Sequence, residues 1–599
     1  MSIVPLDKAT ICGPLAQRDA ALDALQRFGR LHLINLNDAT TPKRGDSLKS
    51  ADARTALKHL QSCPLRRRAP QRCRNFDFRR VVAKALKNKR QHEALVDERD
   101  EVAKAIEIAT PWGEFRQPKE GEFGSARLWF YVVPRRDADR VRQSGVPCQI
   151  VAVDPTALSC VVVAAEEPTP RPGERVELDR RPLSELAARR EEIDDALEDL
   201  HWERVALTRW IPRLKRSLDA ADDAAARAWA ERLALSEPEL FAILAWVPQA
   251  AREELEEVTR GLGLALKLAP PDPADEPPTL LDNPDRVAGA EGAVTFYITP
   301  AYRAWDPTPV MFVSFSLFFG MILADAGYGL VLAAALGLFW RRLGATRKGA
   351  QFRTLLTTIV GATIVFGSMT GSYFGLAPRP DSTLGRLRVL DFAARGQMMG
   401  LSILIGVGHL SLANLVTAWR ARHSLRALGS IGWVLLMIGA LMAAAELLTT
   451  PWGATVAPWG KRLVVLGVAA VLLFSSDRPL KAARVRDWLG RVVDGLSALT
   501  GITKLFGDVL SYLRLFALGL ASGQLAVTFN ELASHMAEKR GLGLLLASVI
   551  LIAGHGINLA LGLMGGVVHG LRLNCIEFFN WSLTEEGRPF EPYQKKVRQ

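Results

Sequence analysis

The sequence predicts an α-helical polytopic membrane domain of about eight transmembrane helices, two of them long and tilted. In front of it stands an N-terminal cytoplasmic stalk, an antiparallel coiled coil with small α/β lobes. Three observations predict this. Residues 1 to about 300 are rich in Arg, Asp, Glu and Ala, whereas 309–580 are mostly long apolar runs; that asymmetry belongs to a soluble domain followed by a membrane domain. A seven-residue apolar repeat runs through 186–218, the pattern that coiled helices bury. Arg514 is the only full charge between Asp508 and Glu531, inside an apolar run. A guanidinium stays charged in a protein, so one placed there needs a partner or a water-filled cavity.

In the soluble half, residues 3–11 and 30–36 read as strands flanking a helix at about 15–28. A second strand–helix set spans roughly 126–165, with WFYVV (129–133) as its clearest strand, and a third spans 240–269. Between these lobes lie polar helices. Leu186, Ile193, Leu200, Leu207 and Leu214 make a strict heptad, with Leu197, Ile211 and Leu218 at the companion position and Arg190 and Arg204 as interruptions. Pro212 predicts a local kink. The expected partner is the helix around 76–109, which carries Val82, Leu86, Val102 and Ile106 on one face; a solvated helix pair without a buried seam is the competing reading. A further helix at 47–62 ends near Pro64. Residues 270–308, rich in Pro and Asp, read as the linker, which gives a division into 1–300, the cytoplasmic arm and linker, and 301–599, the membrane domain.

The candidate spans are about 309–325, 327–340, 355–375, 397–419, 428–448, 461–476, 489–537 and 541–580. The first two are short and read as one hairpin interrupted around Asp325 and Gly327. The last two exceed a perpendicular crossing of a hydrocarbon core of about 30 Å, so they must tilt or extend beyond it. Basic residues set the orientation. Arg341, Arg342, Arg347, Lys348 and Arg353, then Arg420, Arg422 and Arg426, then Arg478, Lys481, Arg484 and Arg486 all fall on the side of the N-terminus, as the positive-inside tendency requires. The loop 376–396, with Arg379, Arg386, Arg388 and Arg395, is the exception. Eight spans return the C-terminus, with Lys595, Lys596 and Arg598, to the cytoplasm.

Composition excludes several classes. The net charge of +12 sits largely in short loops between apolar runs, which argues against a nucleic-acid partner. The start MSIVPLDKAT has neither a basic n-region nor an apolar h-region, so no cleaved leader is expected. Six cysteines (Cys12, Cys63, Cys73, Cys148, Cys160 and Cys575) form no CxxC pair, so neither a zinc site nor a disulfide framework is expected. No Walker loop and no strand-bound GxGxxG occurs. Catalytic residues, cofactors and metals are therefore not expected in this chain.

The polar residues within the spans are the candidate site. Span seven carries Asp494, Thr500, Lys504, Asp508, Ser511, Arg514, Ser522 and Gln524; span eight carries His555, Asn558, His569, Arg572 and Glu577. Lys504 and Asp508 stand at i,i+4 and are expected to pair. Thr500 lies fourteen residues before Arg514, roughly on its face, and Asn558 and Arg572 are also fourteen apart. Arg572 lies nearer its helix end, where snorkelling is the competing reading. Gly565 and Gly566 allow close helix approach. Asp325, His409 and Glu446 are isolated polar residues in apolar runs. Two long helices, each presenting an arginine, with polar strings leading to either side, suit an ion that enters from one side, rides elsewhere and leaves from the other. A secondary transporter with a cytoplasmic coiled-coil domain is the alternative, although such carriers more often show intramembrane carboxylates and duplicated halves. A membrane tether without transport is a further one.

On these residues the chain resembles the membrane stator subunit, called subunit a or subunit I, of rotary vacuolar/archaeal-type ATPases. The segments that carry the resemblance are EPPTLLDNP (276–284), DPTPVMFVSFSLFFGMILADAGYG (306–329), GSYFG (371–375), SYLRLFALGLASGQL (511–525), HGLRLNCIEFF (569–579) and EGRPFEPY (586–593). The resemblance implies a non-rotating subunit of a bacterial or archaeal ATPase or ATP synthase in a prokaryotic inner membrane, with ATP chemistry on partner subunits. It implies that Arg514 faces the carboxylate of a proteolipid rotor ring of the c/K/L type, with Arg572 as the second arginine beside it. Half-channels for protons (or sodium) would be lined from Asp325, His409, Glu446, Asp494, Asp508, Ser522, Gln524, His555, Asn558, His569 and Glu577. The N-terminal lobes would hold peripheral stalks of the E/G type, and the central-stalk and catalytic subunits would complete the assembly around the bilayer. Two positions depart from the vacuolar pattern: Ser522 stands where many relatives carry histidine, and Gly562 where they carry a carboxylate. A topology reporter fused at residue 455 is expected outside, and one at 422 or 599 inside; an inside reading at 455 would break this arrangement.

Overall fold

The computed structural model describes the chain except residues 1, 37–47, 70–75, 119–123, 125, 136–147, 155–156, 170, 172, 392–393, 447–452, 477, 479–484, 540, 584 and 597–599, together with the side chains of 48–50 and 485–488. Cys73, Lys481, Arg484, Arg598 and the side chain of Arg486 thus lie outside the described residues. Two compact units result: Cys12–Gly29, Asn35–Ile243 and Tyr593–Gln599 form one, and Met1–Ile11, Arg30–Ile34 and Leu244–Pro592 the other.

The first unit contains α1 (Arg18–Phe28), α2 (Leu48–Gln61), α3 (Phe78–Ala109), α4 (Leu183–Thr208) and α5 (Ile211–Leu233). Helices α3 and α4 run antiparallel. Near one end Val102 packs with Leu186 and Ile193; further along, Asn88 Nδ2 donates to Leu200 O and to Glu203, both at 2.9 Å. Rising numbers in one helix therefore meet falling numbers in the other. The apolar seam changes partner at Trp210. Beyond it Leu214 and Leu218 join Leu207 against Ala53, Ala56 and Leu60 of α2 and Val81 and Ala85 of α3. The expected kink at Pro212 is instead a break: α4 ends at Thr208 and Pro212 occupies the first turn of α5, where its missing N–H removes no helical bond. Arg204, which interrupts the heptad, donates to His59 O at 2.6 Å and Ser62 Oγ at 2.7 Å, so the interruption ties α4 to α2.

A four-stranded antiparallel sheet in the same unit has the order Cys148–Val153, Ala157–Ala164, Arg127–Pro134, Glu174–Val176. Tyr131 opposes Cys160, and the core beneath is Tyr131, Val133, Leu158, Cys160 and Val162. Of the strand–helix set expected over 126–165 the strands form, and the stretch 136–147 between them lies outside the described residues. The C-terminal residues belong to this unit too: Lys595 pairs with Asp23 at 3.3 Å and Lys596 with Asp222 at 2.8 Å. Those ion pairs help hold the carboxyls of Asp23 and Asp222 below their ordinary range, against a burial that pushes them up.

The second unit begins with a sheet in the order His32–Ile34, Leu240–Pro248, Leu6–Pro14, Ala265–Ala269, followed by α6 (Arg252–Gly261) on that lobe and α7 (Glu291–Tyr297). The strand–helix–strand reading of 240–269 is what forms. Asp7, nearly fully buried, is satisfied by Arg252 and by Gln249 Nε2 at 3.1 Å. His32 Nδ1 accepts from the Glu591 amide at 2.9 Å. Burial pushes its imidazole below the ordinary value, so the neutral ring that this acceptor role needs is favoured.

The apolar helices follow: α8 (Thr308–Leu323), α9 (Ala326–Leu343), α10 (Arg347–Thr370), α11 (Arg395–Arg420), α12 (Arg426–Ala444), α13 (Gly453–Phe474), α14 (Val485–Leu499), α15 (Gly501–Ser511), α16 (Leu513–Ala537) and α17 (Leu542–Arg572). By length and composition, six segments among the described residues are apolar and long enough to cross a membrane: α10, α11, α12, α13, Leu489–Ala537 and Leu542–Ser582. Helix α8 is a shorter apolar helix, and α9 ends on Arg341 and Arg342. The expected span seven, 489–537, forms as Leu489–Ala537; single turn residues at Thr500 and Tyr512 interrupt it, both still in the right-handed helical region.

Two devices hold this unit. Helix α8 lies antiparallel to α17, and at each of three successive turns a glycine of α17 faces a large side chain of α8: Gly562 meets Leu323, Gly566 meets Phe319 and Gly570 meets Phe315. Of the two glycines singled out in the sequence, Gly566 belongs to this row. The second device is the break between α8 and α9. Ala324 sits in the left-handed region at φ 49°, an unusual state for a residue with a Cβ. Asp325 makes it tenable by accepting from Tyr328 N (3.0 Å), Ser372 Oγ (2.6 Å), Phe374 N (2.9 Å) and Gly375 N (3.0 Å). Gly367 lets α10 approach closely, since a Cβ there would lie 2.1 Å from Ala326 N.

Two outcomes are expected. Glu98 and Arg189 approach to 2.7 Å across α3 and α4, so Glu98→Cys/Arg189→Cys should crosslink within one chain through a short bifunctional reagent. Crosslinks only between chains would overturn the intrachain pairing. Asp325→Ala strands several buried donors at about 1–3 kcal/mol each, and should sharply lower the yield and thermal midpoint of the purified chain. Asp325→Asn keeps an acceptor and should be milder; equal effects would overturn the bracket role.

Candidate functional site

The site is built where α16 begins and α17 ends. Arg514 is the second residue of α16 and is 24% exposed. Its Nε donates to Ser511 O at 3.3 Å, and its Nη2 reaches Glu577 Oε1 at 3.4 Å. Arg572, the last residue of α17 and 51% exposed, brings its Nε to 3.9 Å from the same oxygen. Glu577 is only 3% exposed. One buried carboxylate thus stands between two guanidinium groups from different helices.

Local backbone explains the convergence. Residues Leu573–Phe578 form a π-helical turn directly after α17. In an α-helix a residue five positions on points about 140° away, whereas a π turn hydrogen-bonds i to i+5 and returns it over the first. Arg572 and Glu577 are five apart, so the wide turn is what lets them meet. Ser314 of α8 donates to Asn574 Oδ1, and Asn574 Nδ2 bonds Gly570 O, which fixes the turn against the helix row.

A second group of predicted residues forms one chain. Ser522 Oγ lies 3.3 Å from Asn558 Oδ1, and Asn558 Nδ2 reaches Ser522 O and Tyr328 Oη, each at 2.9 Å. Tyr328 Oη is 2.8 Å from His555 Nδ1, and His555 Nε2 is 3.0 Å from Asn530 Oδ1. Asn530 Nδ2 closes the line on Phe374 O at 2.7 Å. The sequence reading named Ser522, Asn558 and His555 but not Tyr328 or Asn530. Tyr328 stands in the first turn of α9, 230 residues from Asn558 in sequence, where its amide donates to the Asp325 bracket.

The remaining candidates separate. Gln524 lines a cavity of about 130 Å³ with Arg388, Asp391 and Ser372. Arg388, one of the four arginines of the stretch 376–396, pairs there with Asp391 at 2.6 Å. His409 Nδ1 meets Tyr512 Oη at 2.8 Å, and its ring stacks on Phe578 with centroids 4.2 Å apart. His569 stands one turn before Arg572. Lys504 and Asp508 form no ion pair among the described residues; both turn to Trp581, whose Nε1 donates to Asp508 at 2.7 Å while the ammonium sits 5.7 Å from the ring. Asp325 is the structural bracket already described. Glu446 pairs with Lys461 at 3.4 Å on the surface, and Asp494 with Arg478 at 3.1 Å and Ser476 at 2.7 Å; neither is brought to the arginines. At Gly562 a Cβ would fall 2.5 Å from Leu323 Cδ1, so the place of a side chain there is taken by Leu323. No cluster of metal-ligating residues occurs among the described residues.

Comparison with known proteins agrees with this architecture. No family model matches. V-type ATP synthase subunit I of Chlamydia pneumoniae is 30% identical over 435 residues, 61% of this chain and 62% of that protein. A-type ATP synthase subunit I of Methanocaldococcus jannaschii is 29% identical over 59% of this chain and 55% of that protein. The chain thus spans less than two thirds of the length of these relatives. V-type ATP synthase subunit I 1 of Treponema pallidum is 26% identical over 99% of this chain and 100% of that protein. A solved cytoplasmic N-terminal domain of subunit I, homolog of subunit a, of V-ATPase overlaps 44% of the chain at 18% identity with a TM-score of 0.23, an overlap too loose to argue from. With six apolar segments long enough to span, the chain is an integral membrane protein and a homologue of subunit I of the V-type and A-type ATP synthases.

Proposed function

We propose that this chain is the non-rotating membrane subunit of a V/A-type rotary ATPase or ATP synthase, that it provides half-channels for protons (or sodium), and that Arg514, with Arg572 beside it, faces the carboxylate of a proteolipid rotor ring and keeps the half-channels apart. The observation that carries the reading is the pair of arginines on one buried carboxylate. Two positive charges and one negative leave the site net positive. A mobile carboxylate that arrives there is held ionised, and a direct proton leak past a fixed cation is blocked. Glu577 serves as the anchor that aims both guanidinium groups. The chain of Ser522, Asn558, Tyr328, His555 and Asn530 serves one aqueous half-path, and the Gln524 cavity opens beside it.

The arm of residues 1–300 would hold peripheral stalks of the E/G type through its lobes, with α3 and α4 as a coiled-coil strut, while 301–599 translocates the ion. Both termini lie in the cytoplasm on this reading. The ion pairs of Lys595 and Lys596 with Asp23 and Asp222 support a C-terminus on the side of the N-terminal unit, which requires an even number of crossings. Eight crossings, counting α8 and α9 as a short pair, satisfy this. The prokaryotic inner membrane is the setting the relatives suggest, and central-stalk and catalytic subunits would do the ATP chemistry.

Arg514→Ala should leave the complex assembled, and ATP hydrolysis by detached catalytic subunits intact, while ATP-driven ion uptake into vesicles vanishes. Arg514→Lys should also fail or nearly fail, since lysine is shorter and loses its proton when buried. Arg572→Ala should retain more transport. Near-normal uptake by assembled Arg514→Ala would sink the mechanism.

A further inference from the structure

At the arginine-rich end of the α11–α12 hairpin lies a groove of about 580 Å³. Leu415, Leu428 and Ile431 form its apolar wall, and Arg422 and His423 stand at its polar end. Trp419, 71% exposed, marks the boundary, with the Arg422 guanidinium 5.3 Å from its ring centre. From Asp391 to Glu446 the chain contains no Asp or Glu between those two residues, so the hairpin's own charge is wholly positive.

Three other basic residues of this domain are engaged by protein. Arg347 pairs with Asp285, Arg478 with Asp494, and Arg353 donates to Trp340 O while covering its ring. Arg422 instead meets a ring face and lines the groove, within reach of what fills it. A small soluble anion would satisfy the polar end and leave the apolar wall empty. An acidic peptide would have to bury backbone polar groups along a wall that faces hydrocarbon, which is costly. An amphipathic anion with an alkyl chain satisfies both ends. Tryptophan at such a boundary suits the interfacial layer, and a guanidinium fork matches phosphate oxygens.

We propose that this groove binds an anionic phospholipid, its headgroup phosphate between Arg422 and His423 and an acyl chain along Leu415, Leu428 and Ile431. The inference rests on the membrane assignment and is independent of the role given to Arg514. The test uses the full chain in phosphatidylcholine bilayers that contain a minor share of phosphatidylglycerol with a photoreactive acyl chain, compared with the same share of photoreactive phosphatidylcholine. Phosphatidylglycerol adducts should concentrate on the peptide from Leu415 to Ile431 and exceed those of phosphatidylcholine. Arg422→Gln should lower that excess about fivefold, the worth of one basic group at an anionic surface. Ile431→Trp, which keeps every charge and fills the wall, should lower phosphatidylglycerol adducts as well, and Arg347→Gln should change nothing. Equal labelling by the two lipids, adducts elsewhere, or indifference to both groove substitutions would overturn the proposal.

Discussion

Everything in the membrane half is arranged around an electrostatic constraint: two arginines are tolerated at the meeting of α16 and α17 because Glu577 stands between them. An unpaired guanidinium in apolar surroundings is costly, and so is an unpaired carboxylate. Here each makes the other possible, and the account does not balance to zero. The surplus positive charge is compensated partly by the exposure of Arg572. On the proposed reading that surplus is also the property a passing anion would feel, so stability and function would draw on one feature.

The mechanical frame serves this constraint. Three glycines of α17 receive Leu323, Phe319 and Phe315, so α8 and α17 approach closely in a setting where apolar burial alone gives little drive to association. The same row leads directly into the π turn that carries Glu577. At the other end of α8, Ala324 and Asp325 end the helix and redirect the chain, which brings Tyr328 to Asn558 and His555. Packing on one helix therefore sets both the arginine site and the polar chain.

Much of this was legible in the sequence. Of the eight apolar runs, six form helical segments long enough to span, because length and composition are local properties. The heptad at Leu186 to Leu218 gave a helix pair because a seam of period seven needs a partner. The interruption at Asp325 was visible as a charge within an apolar run. What stayed hidden depends on geometry that no local pattern encodes. Glu577 looked like a lining residue because five residues from Arg572 means a different face in an α-helix, and nothing in LNCIEF announces a π turn. Tyr328 and Asn530 looked like ordinary apolar-run and helix-end residues. The turn residues at Thr500 and Tyr512 left no mark in the sequence, because neither is a proline and both keep helical backbone angles. Lys504 and Asp508 had the spacing of an ion pair, yet Trp581, distant in sequence, takes both.

The wide turn at Leu573–Phe578 also fixes a distance in sequence as firmly as one in space. Tightening of the turn to ordinary α winding with no residue lost would leave Arg572 and Glu577 five apart and about 140° from each other around the axis. The carboxylate would then point away from Arg572, even with every amino acid of the site still present. Loss of one residue together with that tightening would instead put the pair four apart, about 40° from each other. The spacing between Arg572 and Glu577 and the width of the turn can therefore change only together.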